Sequence, residues 1–144
     1  MPKANVNGIN VSYGIDGRGE PLVLIMGFAG PKMGWIFQNC FFKKHYRVIT
    51  IDNRGVWRTD KPDGPYSTKM LADDTVGLMD HLGIKKAHIL GISMGGMIAQ
   101  ELAINYPERV QKLVLGCTYA NRDETGGLTS EYYKGIGFDD DSSN

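Results

Sequence analysis

The sequence has few of the features that mark several large classes of protein. Only two cysteines, Cys40 and Cys117, occur in 144 residues. Both lie beside apolar residues, so we expect two buried thiols rather than a disulfide. No cysteines or histidines have the spacing of zinc ligands, and we expect no metal site. Sixteen basic residues balance sixteen acidic ones, which leaves no basic excess for binding nucleic acid or a membrane surface.

Long apolar segments are also lacking. The amino terminus has no apolar stretch of the kind found in signal peptides, and no apolar run approaches the length of a membrane span. We therefore expect a cytoplasmic protein that binds neither membrane nor nucleic acid. The length fits one domain with a core of its own.

The pattern of apolar residues predicts strands that alternate with helices. A short hairpin is expected near the amino terminus, with Gly8 and Gly17 at its turns. Continuous apolar runs are typical of strands buried on both faces, and amphipathic segments indicate helices. This order predicts an α/β fold, a mostly parallel sheet with helices on both faces. We expect residues 1–118 to form the core and residues 119–144 to form a polar, partly disordered extension. The predicted strands are residues 22–26, 46–52, 87–92 and 110–115, and the predicted helices are residues 34–44, 67–82 and 94–106.

One motif carries chemistry. Residues 91–95 read Gly-Ile-Ser-Met-Gly, which fits G-x-S-x-G with Ser93 at its centre. The motif ends a predicted buried strand and opens a predicted helix, as a nucleophile elbow requires. Such a turn is sharp enough to need glycine on both sides, and the helix amino terminus offers N–H groups to an oxyanion. We predict that Ser93 is a nucleophile. The alternative is an ordinary capping serine in a glycine-rich turn.

Two further loops follow predicted parallel strands and should lie at the same edge of the sheet. Residues 26–30 follow the first strand, and the N–H groups of Phe28 and Met94 are predicted to form an oxyanion hole, with Gly27 beside the substrate. The alternative for this loop is a plain glycine turn. Residues 52–55 (Asp-Asn-Arg-Gly) follow the second strand. For these residues we favour a structural turn over a polar latch beneath the site.

The segments LVLIMGFAG, ITIDNRGVWRTDKP and HILGISMGGMIAQELAINYPERV resemble the amino-terminal part of the α/β-hydrolase superfamily. Its esterases, enol-lactonases and cofactor-free haloperoxidases are the most similar members. The resemblance covers residues 6–118. It implies Ser93 as nucleophile, the amides of Phe28 and Met94 as oxyanion hole, an ester substrate and no cofactor. Where the family has a glycine this sequence has Trp57, which could line or cap the pocket or anchor a partner.

The family continues with a lid, further strands, an acid loop and a histidine loop. This sequence ends before them, so the resemblance implies a truncated core. We expect all three histidines at the end of the sheet opposite Ser93. His88 lies at the start of the strand that ends at Ser93, about 16 Å away. His45 precedes its own strand, and His81 ends a helix that runs antiparallel to the strands. Asp123, which follows the last predicted strand, is the candidate triad acid, but a carboxylate alone is a poor base for a hydroxyl.

Three functions are open from the sequence, one of which, a cofactor-free perhydrolase, would use the same Ser93 site and cannot be distinguished from an esterase by sequence. The preferred one is a carboxylic-ester hydrolase that uses Ser93 and is weak or depends on a base from a partner chain. The alternative is a catalytically inactive scaffold that dimerises or binds a ligand. Because the strand at residues 110–115 would lack an outer neighbour, we expect a homodimer through this sheet edge.

Overall fold

A six-stranded sheet forms the centre of residues 1–120, the part of the chain that the computed structural model describes. The strands lie in the order β1-β2-β4-β3-β5-β6. The last four strands of the chain run parallel to one another, whereas β1 and β2 pair antiparallel. The predicted mostly parallel sheet is therefore confirmed. The strands are β1 (Lys3–Val6), β2 (Ile9–Asp16), β3 (Pro21–Ile25), β4 (Arg47–Ile51), β5 (Ala87–Ile92) and β6 (Val110–Gly116).

The antiparallel hairpin at the amino terminus confirms the turn that was expected at Gly8. Val6 pairs with Ile9, so the connection has only two residues. These residues, Asn7 and Gly8, have φ angles of 49° and 78°. Two residues with positive φ give the turn whose twist matches that of the flanking strands, and asparagine followed by glycine is the preferred pair.

Three helices connect the strands: α1 (Ile36–Phe42), α2 (Thr68–His81) and α3 (Met94–Asn105). The predicted start of α2 is confirmed, because the Ser67 hydroxyl accepts a hydrogen bond from the Met70 N–H at 3.1 Å. The predicted end of α3 is also close to the observed one, since Pro107 begins a short 3₁₀ turn. The first helix is shorter than expected, because Lys32–Trp35 adopt a 3₁₀ turn instead.

The helices cover both faces of the sheet, as predicted. On one face, α2 and α3 bury Leu71, Leu78 and Leu102 against strand residues that include Val23 and Ile89. On the other face, the segment that leads into α1 packs Trp35 against a smaller cluster formed by Leu22, Leu24 and Val48. A fully buried aliphatic side chain contributes about 1.5–3 kcal/mol. The larger cluster therefore accounts for most of the apolar stabilisation.

The expectation that both cysteines are buried is wrong. Cys40 and Cys117 are free thiols, and both are exposed. Cys40 lies on α1 beside Phe37 and Phe41, which are 83% and 60% exposed. Cys117 directly follows the edge strand β6 and has a φ of 49°. Apolar neighbours in sequence misled the prediction, because these neighbours are themselves on the surface.

No helix among residues 1–120 is both long and apolar enough to cross a membrane. The predicted polar extension lies almost wholly outside the described residues.

A small polar network joins α2 to the end of α3. The Asp73 carboxylate accepts hydrogen bonds from Lys69, one turn earlier, and from the Tyr106 hydroxyl at 2.6 Å. Burial by itself would raise the pKa of Asp73, but these two hydrogen bonds outweigh it and hold the pKa below its ordinary value of 3.8. The hydrogen bond to Asp73 in turn raises the pKa of Tyr106.

This network predicts an acid-sensitive contribution to stability. A carboxyl group whose pKa is lowered on folding stabilises the fold above its unfolded pKa, and the contribution is lost as the pH falls through the folded value. We expect Asp73→Asn to lower the free energy of unfolding at pH 7 by about 1 kcal/mol or less, because the pair is partly exposed. The deficit should shrink below about pH 4. Urea unfolding across this pH range measures it. Asp63→Asn, at an exposed loop position, is the control, and a deficit that does not change with pH would contradict the assignment.

Candidate active site

Three neighbouring strands bring the chemistry-bearing segments to one edge of the sheet. β4, β3 and β5 are adjacent and parallel, so their carboxyl ends meet there. Asp52 follows β4, the loop of residues 26–30 follows β3, and Ser93 follows β5. The shared edge predicted from the sequence is therefore confirmed for these segments.

Ser93 lies in a strained turn between β5 and α3. Its φ and ψ are 53° and −124°, a conformation that a residue with a Cβ adopts rarely and at a cost of about 1–3 kcal/mol. Ser93 is exposed, and its N–H donates to the carbonyl of Gly116 at 2.9 Å. Its hydroxyl makes no capping hydrogen bond to α3. The alternative of an ordinary capping serine therefore does not describe this residue.

The two glycines beside Ser93 are required by close backbone contacts. A Cβ on Gly91 would lie 2.1 Å from the carbonyl oxygen of Gly95. A Cβ on Gly95 would lie 2.2 Å from the carbonyl oxygen of Ile25, at the end of β3. Both positions are blocked by backbone rather than by side chains that could move. The helix can therefore begin directly against the sheet only with glycine at both sites.

The loop after β3 lies directly against Ser93. A Cβ on Gly27 would be 3.2 Å from the Ser93 Cβ and 3.7 Å from its Oγ. The loop closes in a tight turn, in which the Gly30 N–H donates to the Gly27 carbonyl at 3.1 Å and Ala29 has a φ of 55°. Phe28 lies within this turn. The structure thus places Gly27 against Ser93, and Phe28 follows Gly27 in the same turn.

A buried ion pair anchors the same loop to β4. The Lys32 ammonium donates to the Asp52 carboxylate at 2.6 Å and to the Ser12 hydroxyl at 2.8 Å, and the Lys32 N–H donates to the other Asp52 oxygen at 2.7 Å. The Lys32 and Asp52 side chains are only 4% and 0% exposed. Such a pair is maintained because each charge alone would be costly to bury. The sequence analysis missed this pair, since a lysine in a Gly- and Pro-containing loop looks like a surface residue.

Arg54 forms a second ion pair. Its guanidinium makes two hydrogen bonds of 2.9 Å to Asp74 on α2. This hydrogen bonding raises the pKa of Arg54 above its ordinary value. Since Asp52 and Arg54 both hold neighbouring elements in place, the geometry fits the structural turn that was favoured for residues 52–55.

All three histidines of the sequence lie away from Ser93. His88 is the second residue of β5, five residues before Ser93, and its Nε2 is hydrogen-bonded to the Glu20 carboxylate at 3.1 Å. His45 precedes β4, and its ring makes a tilted contact with the ring of Phe41. His81 ends α2 and makes an edge-to-face contact with Tyr13 on β2, which is three strand spacings, about 14 Å, from β5. None of them is placed to act on Ser93 within one chain.

The remaining residues that were predicted to belong to the site are Trp57 and Asp123. Trp57, on the loop after β4, is 45% exposed, and its ring lies 4.9 Å from the Lys32 ammonium. It is therefore anchored at the same sheet edge as Ser93. Asp123, the candidate acid, lies outside the described residues.

Two further observations concern metal binding and cavities among the described residues. Among residues 1–120, no three acidic, histidine or cysteine side chains cluster closely enough to hold a metal ion. An open cavity of about 630 Å³ lies along α2, where Asn7, Arg54 and Asp73 are part of its lining. Neither Ser93 nor Gly27 lines this cavity.

The strain at Ser93 predicts an unusual order of stabilities. Glycine adopts positive φ without penalty, but it also costs about 0.5–1 kcal/mol of chain entropy. Relief of strain should exceed this cost, so Ser93→Gly should be more stable than Ser93→Ala by about 1 kcal/mol in urea unfolding. At Glu101, in the middle of the same helix, the order should reverse, with glycine less stable than alanine. The same order at both positions would argue against strain at Ser93.

The chain is similar to known proteins over most of its length. A family model described as alpha/beta hydrolase fold matches residues 20–134. The 3-oxoadipate enol-lactonase 2 of Acinetobacter baylyi is 35% identical over 118 residues, which cover 81% of this chain and 44% of the lactonase. Human epoxide hydrolase 4 is 39% identical over 113 residues, 76% of this chain and 31% of that protein.

A solved structure described as Est816, an N-acyl homoserine lactone degrading enzyme, superimposes with a TM-score of 0.79 at 36% identity, covering 81% of this chain and 45% of that one. The chain thus spans less than half the length of the relatives named here. From the family match, the sheet order and the glycine-flanked turn at Ser93, the chain belongs to the α/β-hydrolase fold family.

Proposed function

We propose that this chain carries the nucleophile and oxyanion site of a serine hydrolase that acts on carboxylic esters, with Ser93 as the nucleophile. The observation that carries the proposal is the conformation of Ser93: exposed, at positive φ, and held between two glycines that close backbone contacts require. Strain of this kind persists where the surrounding structure enforces it, and it is characteristic of functional positions. A serine presented in this way can attack an acyl carbon from the solvent side.

The oxyanion site is proposed at the N–H groups of Phe28 and Met94. Met94 directly follows Ser93 and begins α3, whose amino terminus carries partial positive charge. Phe28 follows Gly27, and the backbone of Gly27 lies against the Ser93 side chain. Two backbone donors at fixed positions stabilise the negative charge that develops on the carbonyl oxygen in the transition state.

The reaction would proceed through an acyl-enzyme. Ser93 Oγ bonds to the acyl carbon, its proton passes to a base, and the alcohol leaves as the carbonyl re-forms. Water then releases the acid by the reverse path. No histidine of this chain lies near Ser93, so the base comes from a partner chain, from the solvent or from further protein sequence. Asp123 is proposed as the acid that would orient such a base. With solvent as the base, only slow turnover of activated esters is expected, about 10³ over water.

Two of the named relatives support an ester as substrate. The names of the enol-lactonase and of the lactone-degrading enzyme refer to cyclic esters. The name of human epoxide hydrolase 4 refers to a different substrate class, so the fold alone does not select an ester. The choice rests on a serine at position 93, because a serine hydroxyl is suited to acyl transfer.

The role of Ser93 is tested by hydrolysis of short-chain nitrophenyl esters and by labelling with a fluorophosphonate. We expect Ser93→Ala to abolish labelling and to reduce hydrolysis to the rate of the free ester in buffer, because no acyl-enzyme can form. Ser67→Ala, which removes the helix cap of α2, is the matched control and should keep both signals. Equal rates in the wild type and Ser93→Ala would refute the assignment.

A second experiment supplies a base to the wild-type protein. Added imidazole should accelerate ester hydrolysis by the wild type beyond the sum of the enzyme and imidazole rates, because it supplies the absent base. The Ser93→Ala protein should show only the imidazole rate. Replacing His45, His81 or His88 by glutamine should leave the wild-type rate unchanged, unless a partner chain supplies one of them.

A second candidate function is a non-catalytic module that dimerises. It is favoured by the exposed apolar surface of β6, where Leu113, Val114 and Leu115 are 37%, 54% and 41% exposed. Of the strands in residues 1–120, β6 is outermost on this side of the sheet. We propose that a second copy of the chain pairs with this edge, as exposed strands readily do.

This dimer is tested by light scattering after size exclusion. The wild type should have twice the mass of one chain, and Val114→Lys should shift it to the monomer, since a charge on the edge opposes pairing. Ile104→Lys places the same charge on an exposed position of α3 and should leave the dimer intact. A monomeric wild type would rule out the dimer without affecting the proposal for Ser93.

A further inference from the structure

The loop that carries Trp57 is held rigidly at the sheet edge. Within it, the Val56 N–H donates to the Asn53 carbonyl at 2.9 Å, and the Thr59 N–H donates to the Val56 carbonyl at 3.0 Å. The Thr59 hydroxyl donates to the Asp52 carbonyl at 2.6 Å, which fastens the loop to the end of β4. Trp57 therefore projects from a fixed support.

Trp57 is both strained and exposed. Its φ is 43°, which is an outlier for a bulky side chain. Nearly half of the residue is open to solvent. Neither feature is explained by core packing, because the ring belongs to neither of the two apolar clusters. A large aromatic ring that is kept at the surface in a strained conformation points to recognition of a ligand.

The surroundings of the ring are positively charged. The Arg58 guanidinium lies 5.1 Å from the ring centroid, and the Lys61 ammonium donates to the Trp57 carbonyl at 2.9 Å. Lys32 also faces the ring, but Asp52 neutralises it. Within residues 1–120 neither Arg58 nor Lys61 pairs with a carboxylate.

Asp60, which lies between Arg58 and Lys61 in the sequence, forms no ion pair with either of them among residues 1–120. The Asp60 carboxylate instead accepts two hydrogen bonds from Asn10, at 2.8 and 3.1 Å. Two exposed cations are thus left beside an exposed aromatic ring. This combination suits an anion attached to an apolar group, because the ring packs against the apolar part while the cations bind the charge.

We propose that Trp57, Arg58 and Lys61 form a subsite for a carboxylate-bearing substrate, so that the ester cleaved at Ser93 carries a free carboxylate at its other end. The strand order sets the reach of such a molecule. β4, which supports the subsite, is two strand spacings from β5, about 10 Å. A chain of several carbons between the ester and the carboxylate spans this distance. This subsite would define the substrate class of the hydrolase proposed above. It depends on that proposed function only for the position of the ester.

Direct binding tests the subsite without any turnover. The sequence has two tryptophans, and Trp35 is buried, so a ligand at the loop should change mainly the Trp57 fluorescence. The probes are 4-phenylbutyrate and its neutral amide, which differ in charge and little in shape. We expect the acid to bind about fivefold to tenfold more tightly than the amide, with a preference that falls as salt is added. Trp57→Phe should remove the fluorescence change.

Charge-removing variants identify the residues. Arg58→Gln and Lys61→Gln should each reduce the preference for the acid by about threefold. Lys86→Gln removes an exposed cation just before β5, at the opposite edge of the sheet, and should leave the preference unchanged. Equal affinity for acid and amide, or no saturable binding of the acid, would overturn the proposal. So would an equal loss in Lys86→Gln, which would indicate a general charge effect.

Ester hydrolysis provides an independent test of the subsite. The mono-nitrophenyl ester of azelaic acid, a nine-carbon diacid, carries a free carboxylate, whereas nitrophenyl nonanoate does not. We expect kcat/KM to favour the azelate ester, and Arg58→Gln to reduce this ratio about threefold through KM rather than kcat. If the acid probe binds as expected but no ester is cleaved, the subsite stands and the proposed hydrolysis fails. If both esters are cleaved equally well and the probes do not discriminate, the subsite fails and Ser93 stands.

Discussion

The close contact between the start of α3 and the ends of β3 and β5 is the constraint on which the candidate site depends. A Cβ at Gly95 would lie only 2.2 Å from the Ile25 carbonyl oxygen, so a side chain at this position would clash with the end of β3. This contact leaves no room for a gradual turn, so the chain reverses at Ser93 with positive φ. The same contact brings the loop after β3 against the Ser93 side chain. The exposed position of Ser93 and its contact with the loop after β3 thus follow from one packing requirement.

Buried polar contacts hold the remaining parts of this edge in register. Lys32, Asp52 and Ser12 join the loop after β3 to β4 and β2, while Arg54 and Asp74 join the loop after β4 to α2. These groups are satisfied by one another, so they position the loops without being available for chemistry. Ser93, Arg58 and Lys61 are exposed, in contrast to these paired groups.

The turn at Ser93 and the three histidines occupy different parts of the described fold. The histidines lie on other parts of the sheet and helices and have partners there, such as Glu20 for His88 and Tyr13 for His81. The position of Ser93 is therefore set independently of the histidines. Under the proposed function, a base supplied from outside would act on a serine whose backbone conformation is already fixed.

The sequence by itself determined the strands, most helix boundaries, the hairpin turn and the setting of Ser93, because these depend on local apolar periodicity and on glycine, proline and capping residues. It misjudged Cys40 and Cys117, whose exposure depends on which faces the rest of the fold covers. It also gave no sign of the Lys32–Asp52 pair, or of the pairing of Arg58 with Trp57. Those contacts join segments that the sheet brings together from different parts of the chain, or depend on the strained backbone of one loop. Only the tertiary structure decides them, since burial and charge pairing are properties of the assembled fold.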